Sequence, residues 1–185
     1  MTLPTPSQTV GPFFHIGLPY EGGPELVPPD HPGAIRIGGR VFDAQGPVDD
    51  ALVEIWQANA AGRYDHPEDA REDLPLTEGL GGFGRCATDD AGRYEFVTIK
   101  PGAVPHPDGG LQAPHIEVAV LARGLLKQVV TRIYFSDEEE ANESDPVLAL
   151  VEPARRPALV ACEEDGRLRF DVHLQGVRET PFFDV

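Results

Sequence analysis

The residues with the clearest potential for chemistry are His115 and Glu117, in the stretch QAPHIEVAV at 112–120. Side chains in a β-strand alternate between faces, so these two would project to the same side, with Cα atoms about 6.5 Å apart. An imidazole and a carboxylate placed in this way could both bind a metal ion. The stretch therefore leaves three alternatives: half of a metal site, a complete site of unusual composition, or a site that has been lost.

Short alternating segments surround this pair and predict the strands that must position it. The candidate strands are 34–43, 51–57, 93–99, 114–122, 128–135 and 167–175. Turn signals, DDAGR and EEDGR, precede two of them. Because the segments are short and no helical period intervenes, we predict a mainly β fold with long loops, an antiparallel β-sandwich or barrel.

Two segments depart from the strand pattern. SDEEEANESDPVLALV, which begins at Ser136, predicts one short helix at 137–144, with Ser136 as the N-cap, acidic residues in the first turn and an end before Pro146. Residues 62–84 form a long irregular stretch, and loops of that length are usually functional or disordered. The apolar residues spaced along this stretch favour an ordered loop.

The N-terminal part, residues 1–33, is rich in proline and shows no sustained period. It nevertheless contains too many apolar side chains for a solvated tail: Phe13, Phe14, Ile16, Leu18 and Tyr20. We therefore predict an extended N-terminal arm over 1–33 that packs against a partner chain, and a β-sandwich domain over 34–185.

Composition limits the classes of function. Hydrophobic residues make up 41% of the 185 residues, which is enough for a core, and the net charge of −16 argues against nucleic acid and against an anionic membrane surface. MTLPTPSQTV lacks the basic and apolar regions of a signal peptide, and no apolar run reaches the ~18 residues of a membrane span. The expected location is cytoplasmic.

One run carries a more specific signal. GRVFDAQGPVDDALVEIWQANAAGRYDHP, residues 39–67, resembles the signature region of the intradiol ring-cleavage dioxygenases, and the likeness continues through FGRCATDDAGRYEFVTIKPG, PHI and RFDVHLQG. It covers most of residues 34–176. The resemblance implies a β-sandwich in which two tyrosinates and two histidines hold Fe(III), and a reaction with O₂ that opens a catechol between its two hydroxyl-bearing carbons.

Three of five family positions are changed in this chain. Tyr64 matches the first tyrosine and His115 the first histidine. Val104 stands at the second tyrosine, Glu117 at the second histidine, and Gln112 where active members place an arginine. The resemblance therefore implies a vestigial site, with no complete metal site and no catalytic residue in this chain.

Two other interpretations of this site remain open. Tyr64, His115 and Glu117 could form an altered metal site in a single-chain metalloenzyme, or the chain could be a non-enzymatic binding module with a sandwich fold. In a purely structural role, Tyr64 would form hydrogen bonds in a pocket and His115 would pair with Glu117 or a backbone carbonyl. Pairing with Glu117 is expected to raise the pKa of His115.

Within the family, TPSQTVGPFFHIGL and ETPFFDV resemble the non-catalytic α chains of two-chain members that cleave protocatechuate with O₂ to 3-carboxy-cis,cis-muconate. This implies a β chain as partner, which holds the Fe(III) while this chain holds none, and a stabilising interface between the chains. It also implies residues lent to the partner's protocatechuate pocket: Gly11, Pro12, Phe13 and Arg132. The isolated chain is expected to be inactive.

Overall fold

The computed structural model describes residues 11 and 13–184 and shows a mainly β protein. The strands found in these residues are β1 (Ala34–Phe42), β2 (Leu52–Trp56), β3 (Phe83–Ala87), β4 (Arg93–Ile99), β5 (Val104–Pro105), β6 (Leu111–Gln112), β7 (His115–Leu121), β8 (Val129–Phe135), β9 (Val160–Glu164), β10 (Arg167–Arg169) and β11 (Val172–His173). The helical elements are α1 (Phe14–Gly17), α2 (Glu139–Ser144) and two 3-10 turns, Leu148–Leu150 and Arg156–Leu159.

A single sheet path runs β11-β1-β10-β9-β8-β7-β2-β3, with β4 paired to β1, and β5 and β6 form a separate hairpin. Strand β9 joins the two halves because it pairs with β10 on one side and with β8 on the other. The halves enclose one core, to which Ile37 and Phe96 contribute from one side and Ile55, Ile116 and Ile133 from the other. The mainly β sandwich prediction is confirmed, and most of its pairings are antiparallel.

Strand β7 shows how the sequence pattern builds the site. Ile116, Val118 and Val120 are buried at alternate positions and belong to the core. The intervening residues, including His115 and Glu117, therefore face the other side of the sheet, as the alternation predicts. The apolar residues anchor the strand, and its opposite face is left for the site.

Two strand predictions need correction. The predicted strand 167–175 is interrupted at Phe170 and Asp171, where the Phe170 amide donates to the Gly38 carbonyl and the Asp171 carboxylate accepts from the Arg40 amide. β3 and β9 were not among the candidate strands, because β3 lies at the end of the irregular stretch and β9 has three exposed residues at its C-terminal end. β3 is held by pairing with β2 and β9 by pairing with β8, which are well separated from them in sequence, and β9 also forms a hairpin with the adjacent β10.

The acidic helix begins later than predicted. α2 starts at Glu139 with Glu138 at the N-cap position, and no side chain caps it, so the N-cap role predicted for Ser136 is wrong. The acidic first turn and the end before Pro146 are confirmed. Lys100 explains the late start, because its ammonium group lies 2.7 Å from the Asp137 carboxylate and also pairs with Glu138.

The described part of the N-terminal arm contacts its own domain. The short helix α1 buries Phe14 and leaves Phe13 exposed. Further on, Leu26 and Val27 enter the core, and the Leu26 amide donates to the Val97 carbonyl of β4. Contact between the arm and a partner chain, and the boundary at residue 33, stay predictions.

No helix in residues 11 and 13–184 combines the length and the apolar character that a membrane-spanning helix needs.

Candidate functional site

A polar turn after β2 positions Tyr64. The Asn59 side chain accepts hydrogen bonds from the amides of Ala61 and Arg63, and Gly62 between them has a φ of +77°. This left-handed conformation suits glycine, which has no Cβ to clash with the backbone. The turn reverses the chain and brings Tyr64 back beside the end of β2.

Tyr64 is half-buried and stacks on Trp56, with ring centroids 5.7 Å apart and an interplanar angle of 6°. Its amide donates to the carboxylate of Asp69, which is also hydrogen-bonded to Arg71. Burial raises the pKa of the Tyr64 phenol, and the carboxylate of Glu117 raises it further. The phenol is therefore neutral at neutral pH.

Val104 closes one wall of the site. It lies on β5, is 3% exposed, and pairs in register with Gln112 on β6. The Gln112 amide nitrogen donates to the Pro105 carbonyl, which fixes the orientation of the carboxamide. Because an isopropyl group has no lone pair, this position supplies packing and no metal ligand.

His115 is 4% exposed, and its Nδ1 lies 2.7 Å from the Ala113 carbonyl oxygen. The prediction that its pKa is raised is wrong. Burial lowers the pKa of His115 below its ordinary value of 6.5 and the positive charge of Arg132 lowers it further, which together outweigh Glu117. Nε2 is 3.8 Å from the nearer Glu117 oxygen, so the pairing with Glu117 is weak and the backbone carbonyl is the closer partner.

This shift predicts a pH dependence of stability. A buried histidine with a lowered pKa contributes stability above pH 6.5 that is lost as the pH falls toward its folded-state pKa. Between pH 7.5 and 5, the free energy of unfolding should therefore decrease less steeply when His115 is replaced by glutamine. Titration of this one group can contribute at most about 1.4 kcal/mol per pH unit to the slope. Urea unfolding across this range measures the slope, with the exposed His66→Gln as control. Equal slopes in the His115 variant and the unmodified protein would contradict the prediction.

Arg132 lies inside this site. It stands directly opposite Glu117 in the β7–β8 register, and its Nη2 is 2.6 Å from the Glu117 carboxylate. Its Nη1 donates to the side-chain oxygen of Gln112 at 2.8 Å. The structure thus engages Arg132 within its own chain, and its expected contribution to a partner's pocket stays a prediction.

These contacts do not fit the ferric iron that the resemblance implies. Val104 has no donor atom, and the Glu117 oxygen nearest to His115 accepts from Arg132. Ferric iron needs several hard anionic donors around one point. Among residues 11 and 13–184, no three His, Cys, Asp or Glu side chains form a group that could hold a metal ion.

A cleft of about 600 Å³ lies beside Tyr64 and Val104. Trp56, Tyr64, Val104 and Gln112 are among the residues that line it. The ion pair of Arg71 with Asp69, which forms part of the cleft wall, was not predicted from the sequence. The feature of the sequence that could have indicated this ion pair is the clustering of opposite charges in a loop that is otherwise anchored by apolar residues.

The residues expected to reach a partner's pocket are only partly described. Pro12 lies outside the described residues. Gly11 has a φ of +86° and is half-buried, and Phe13 is 74% exposed. The exposed ring leaves a large apolar surface at the start of the described arm.

Comparison with known proteins identifies relatives of this chain. A family model described as "Dioxygenase" matches residues 11–176. The protocatechuate 3,4-dioxygenase alpha chain of Pseudomonas putida is 45% identical, with 97% of this chain and 96% of that protein covered. The protocatechuate 3,4-dioxygenase beta chain of Burkholderia cepacia is 37% identical over 88% of this chain and 79% of its own length.

A solved structure extends the likeness to the fold. The dioxygenase domain of a dioxygenase–carbohydrate-binding fusion protein from Streptomyces sp. SirexAA-E superposes with a TM-score of 0.59 at 27% identity, covering 96% of this chain and 99% of that one. The sequence match and the β architecture thus extend over nearly all of the chain. The chain belongs to the intradiol ring-cleavage dioxygenase family, whose members depend on iron.

Proposed function

We propose that this chain is the α subunit of a protocatechuate 3,4-dioxygenase, and that it does not itself carry iron. The complex would insert both atoms of O₂ into protocatechuate and break the ring bond between the hydroxyl-bearing carbons, forming 3-carboxy-cis,cis-muconate. The observation that carries the proposal is the identity of 45% to an α chain, together with a site whose contacts do not fit iron. Cytoplasmic location stays a prediction.

The Fe(III) of the complex would belong to a β chain. A β chain is also a relative of this protein, at 37% identity, so the two subunits would share one fold. Folded subunits that bind one another stabilise each other by mass action. The first role of this chain would therefore be to stabilise the iron-bearing partner.

Its second role would be to complete the partner's pocket for protocatechuate. Gly11, Pro12 and Phe13 are the candidates in the arm, and Phe13 is exposed in the free chain, as a residue that contacts a partner must be. Position 11 has a positive φ, which suits glycine, and because glycine has no Cβ its backbone can approach a neighbouring surface closely. Neither nucleic acid nor a membrane is among the proposed partners.

Expression of the chain alone and together with a β chain tests the proposal. The isolated chain should purify without iron and without turnover, whereas the co-expressed chains should copurify with about one iron for each αβ pair and cleave protocatechuate. The absorption of tyrosinate bound to Fe(III) should appear only in the complex. An iron-replete, active isolated chain would identify a single-chain metalloenzyme. Failure to bind a β chain would favour a separate binding module.

The same complex tests the contribution of the arm. Phe13→Ala should raise KM for protocatechuate by about tenfold, the size expected when one well-placed contact is lost, without changing the iron content. Ile16→Ala is a matched control, because Ile16 is 69% exposed on the short helix α1 that Phe13 precedes. Equal KM values for the two variants would remove Phe13 from the pocket.

A further inference from the structure

Glu117 and Arg132 form a partly buried ion pair at the position where the family binds its metal. Their side chains are 28% and 14% exposed, and they are directly opposite each other on β7 and β8. The guanidinium uses two different nitrogens, one for the Glu117 carboxylate at 2.6 Å and one for the Gln112 carboxamide at 2.8 Å. It thus connects β7 and β8 to the β5–β6 hairpin, which holds Gln112.

The charges of the surrounding groups make Arg132 the cation of this cluster. The neighbouring His115 is buried, and its Nε2 lies 3.8 Å from the Glu117 carboxylate, too far for a hydrogen bond. Arg71, the other cation near Tyr64, is paired with Asp69. Within the described part of the chain, the Glu117 carboxylate thus depends on Arg132 for compensation of its charge. Removing one partner of such a pair leaves an uncompensated charge, which costs more than the pair itself contributes.

The guanidinium is also placed to exclude a metal ion. A metal bound to a carboxylate oxygen lies about 2.0–2.2 Å from it, and the Glu117 oxygen that faces Nε2 of His115 already accepts from Arg132. A cation placed between His115 and Glu117 would therefore lie against a second, permanently charged cation. The two cannot share this oxygen without strong repulsion in a partly buried site.

We propose that Arg132 replaces the metal of this site: its guanidinium neutralises Glu117, connects β7, β8 and the β5–β6 hairpin as a bound ion would, and prevents metal binding. The loss of the metal-binding site is then a substitution of one cation for another, in which Val104 and Glu117 are only part of the change. This inference rests on family membership and on the contacts of this chain, and it does not depend on the proposed α–β assembly.

A double-mutant cycle on thermal stability tests the structural part. In the purified protein, with its partner where it has one, Glu117→Gln and Arg132→Gln should each lower Tm by about 4–8 °C. The double variant should be more stable than the sum of the two losses predicts, because it leaves no charge uncompensated. The exposed pair of Lys127 and Asp184 is the control, and the Lys127→Gln and Asp184→Asn changes should be additive and small.

Additive losses at Glu117 and Arg132 would overturn the inference. An Arg132→Gln variant with unchanged Tm but a raised KM for protocatechuate would also overturn it, since that result is the one expected of a residue lent to a partner's pocket. The two roles are thus separated by which measurement changes.

Metal uptake tests the exclusion. The variant V104Y/E117H restores two tyrosines and two histidines but keeps Arg132. Its iron content should exceed that of the unmodified protein by less than about one tenth of an iron per chain. The variant V104Y/E117H/R132Q should take up at least fivefold more and gain the absorption of tyrosinate bound to Fe(III). Equal uptake by the two variants, whether high or low, would show that Arg132 does not exclude the metal.

Discussion

Replacing Asp145 by alanine should lower the free energy of unfolding by about 4 kcal/mol. Asp145 is fully buried, and its carboxylate accepts hydrogen bonds from the amides of Ala113, Val147 and Leu148 and from the hydroxyl of Tyr134. Alanine would leave these donors without an acceptor in the interior. A buried donor without a partner costs about 1–3 kcal/mol, and several are lost together here.

The effect should extend to the site. Ala113 lies two residues before His115 and provides the carbonyl that holds its ring, and Tyr134 stands opposite His115 in the β7–β8 register. Asp145 therefore ties the end of α2 to the start of β7. We expect the substitution to loosen the site as well as destabilise the chain.

Urea unfolding and thermal melting measure the loss, which corresponds to about 8–16 °C in Tm for a chain of this size. The control is Asp137→Ala, which removes an exposed carboxylate paired with Lys100 and should cost less than about 1 kcal/mol. The loss for Asp145→Asn should fall between the losses for these two variants. The amide oxygen of asparagine can replace one acceptor oxygen, but its NH₂ group would face a donor at the position of the other. A loss below 1 kcal/mol for Asp145→Ala would show that these bonds do not hold the fold.

Replacing Gly62 by alanine should cost about 3 kcal/mol, compared with about 1 kcal/mol for Gly79→Ala. The two glycines have nearly the same positive φ, +77° and +79°. A Cβ at Gly62 would lie 2.1 Å from the Ala103 carbonyl oxygen, whereas one at Gly79 would meet nothing within 4 Å. Gly79→Ala therefore measures the free-energy cost of the backbone conformation alone. The difference in unfolding free energy between the two variants measures the cost of the steric clash where the two loops approach closely.

That close approach positions the site. Gly62 precedes Tyr64 by two residues, and Ala103 immediately precedes Val104. The chain has a single tryptophan, Trp56, which stacks on Tyr64, so its fluorescence reports the position of this turn. Gly62→Ala should change the tryptophan emission in the folded state, and Gly79→Ala should not. The same emission and the same stability in both variants would contradict this account.

Much of the fold could be predicted from local pattern. The alternation in β7 correctly indicated that His115 and Glu117 share a face, because the strand buries Ile116 and Val118 on the other face. β9 was not found in this way, because it is short and three of its five residues are exposed, and its place in the sheet depends on pairing with β8, which is far away in sequence. The start of α2 shifted for a similar reason, since Lys100 binds the residues expected to begin it.

The sequence by itself determined the class of fold, the family, and the absence of a metal ligand at Val104, since each depends on residue identity and periodicity. It also placed Glu117 where a second histidine would stand. Only the tertiary structure decided the state of the site. The register of β7 against β8 sets Arg132 opposite Glu117, and burial keeps His115 neutral. The pairing of Arg132 with Glu117 and the burial of His115 both depend on strands and loops that meet only after folding. A local sequence pattern therefore cannot predict either of them.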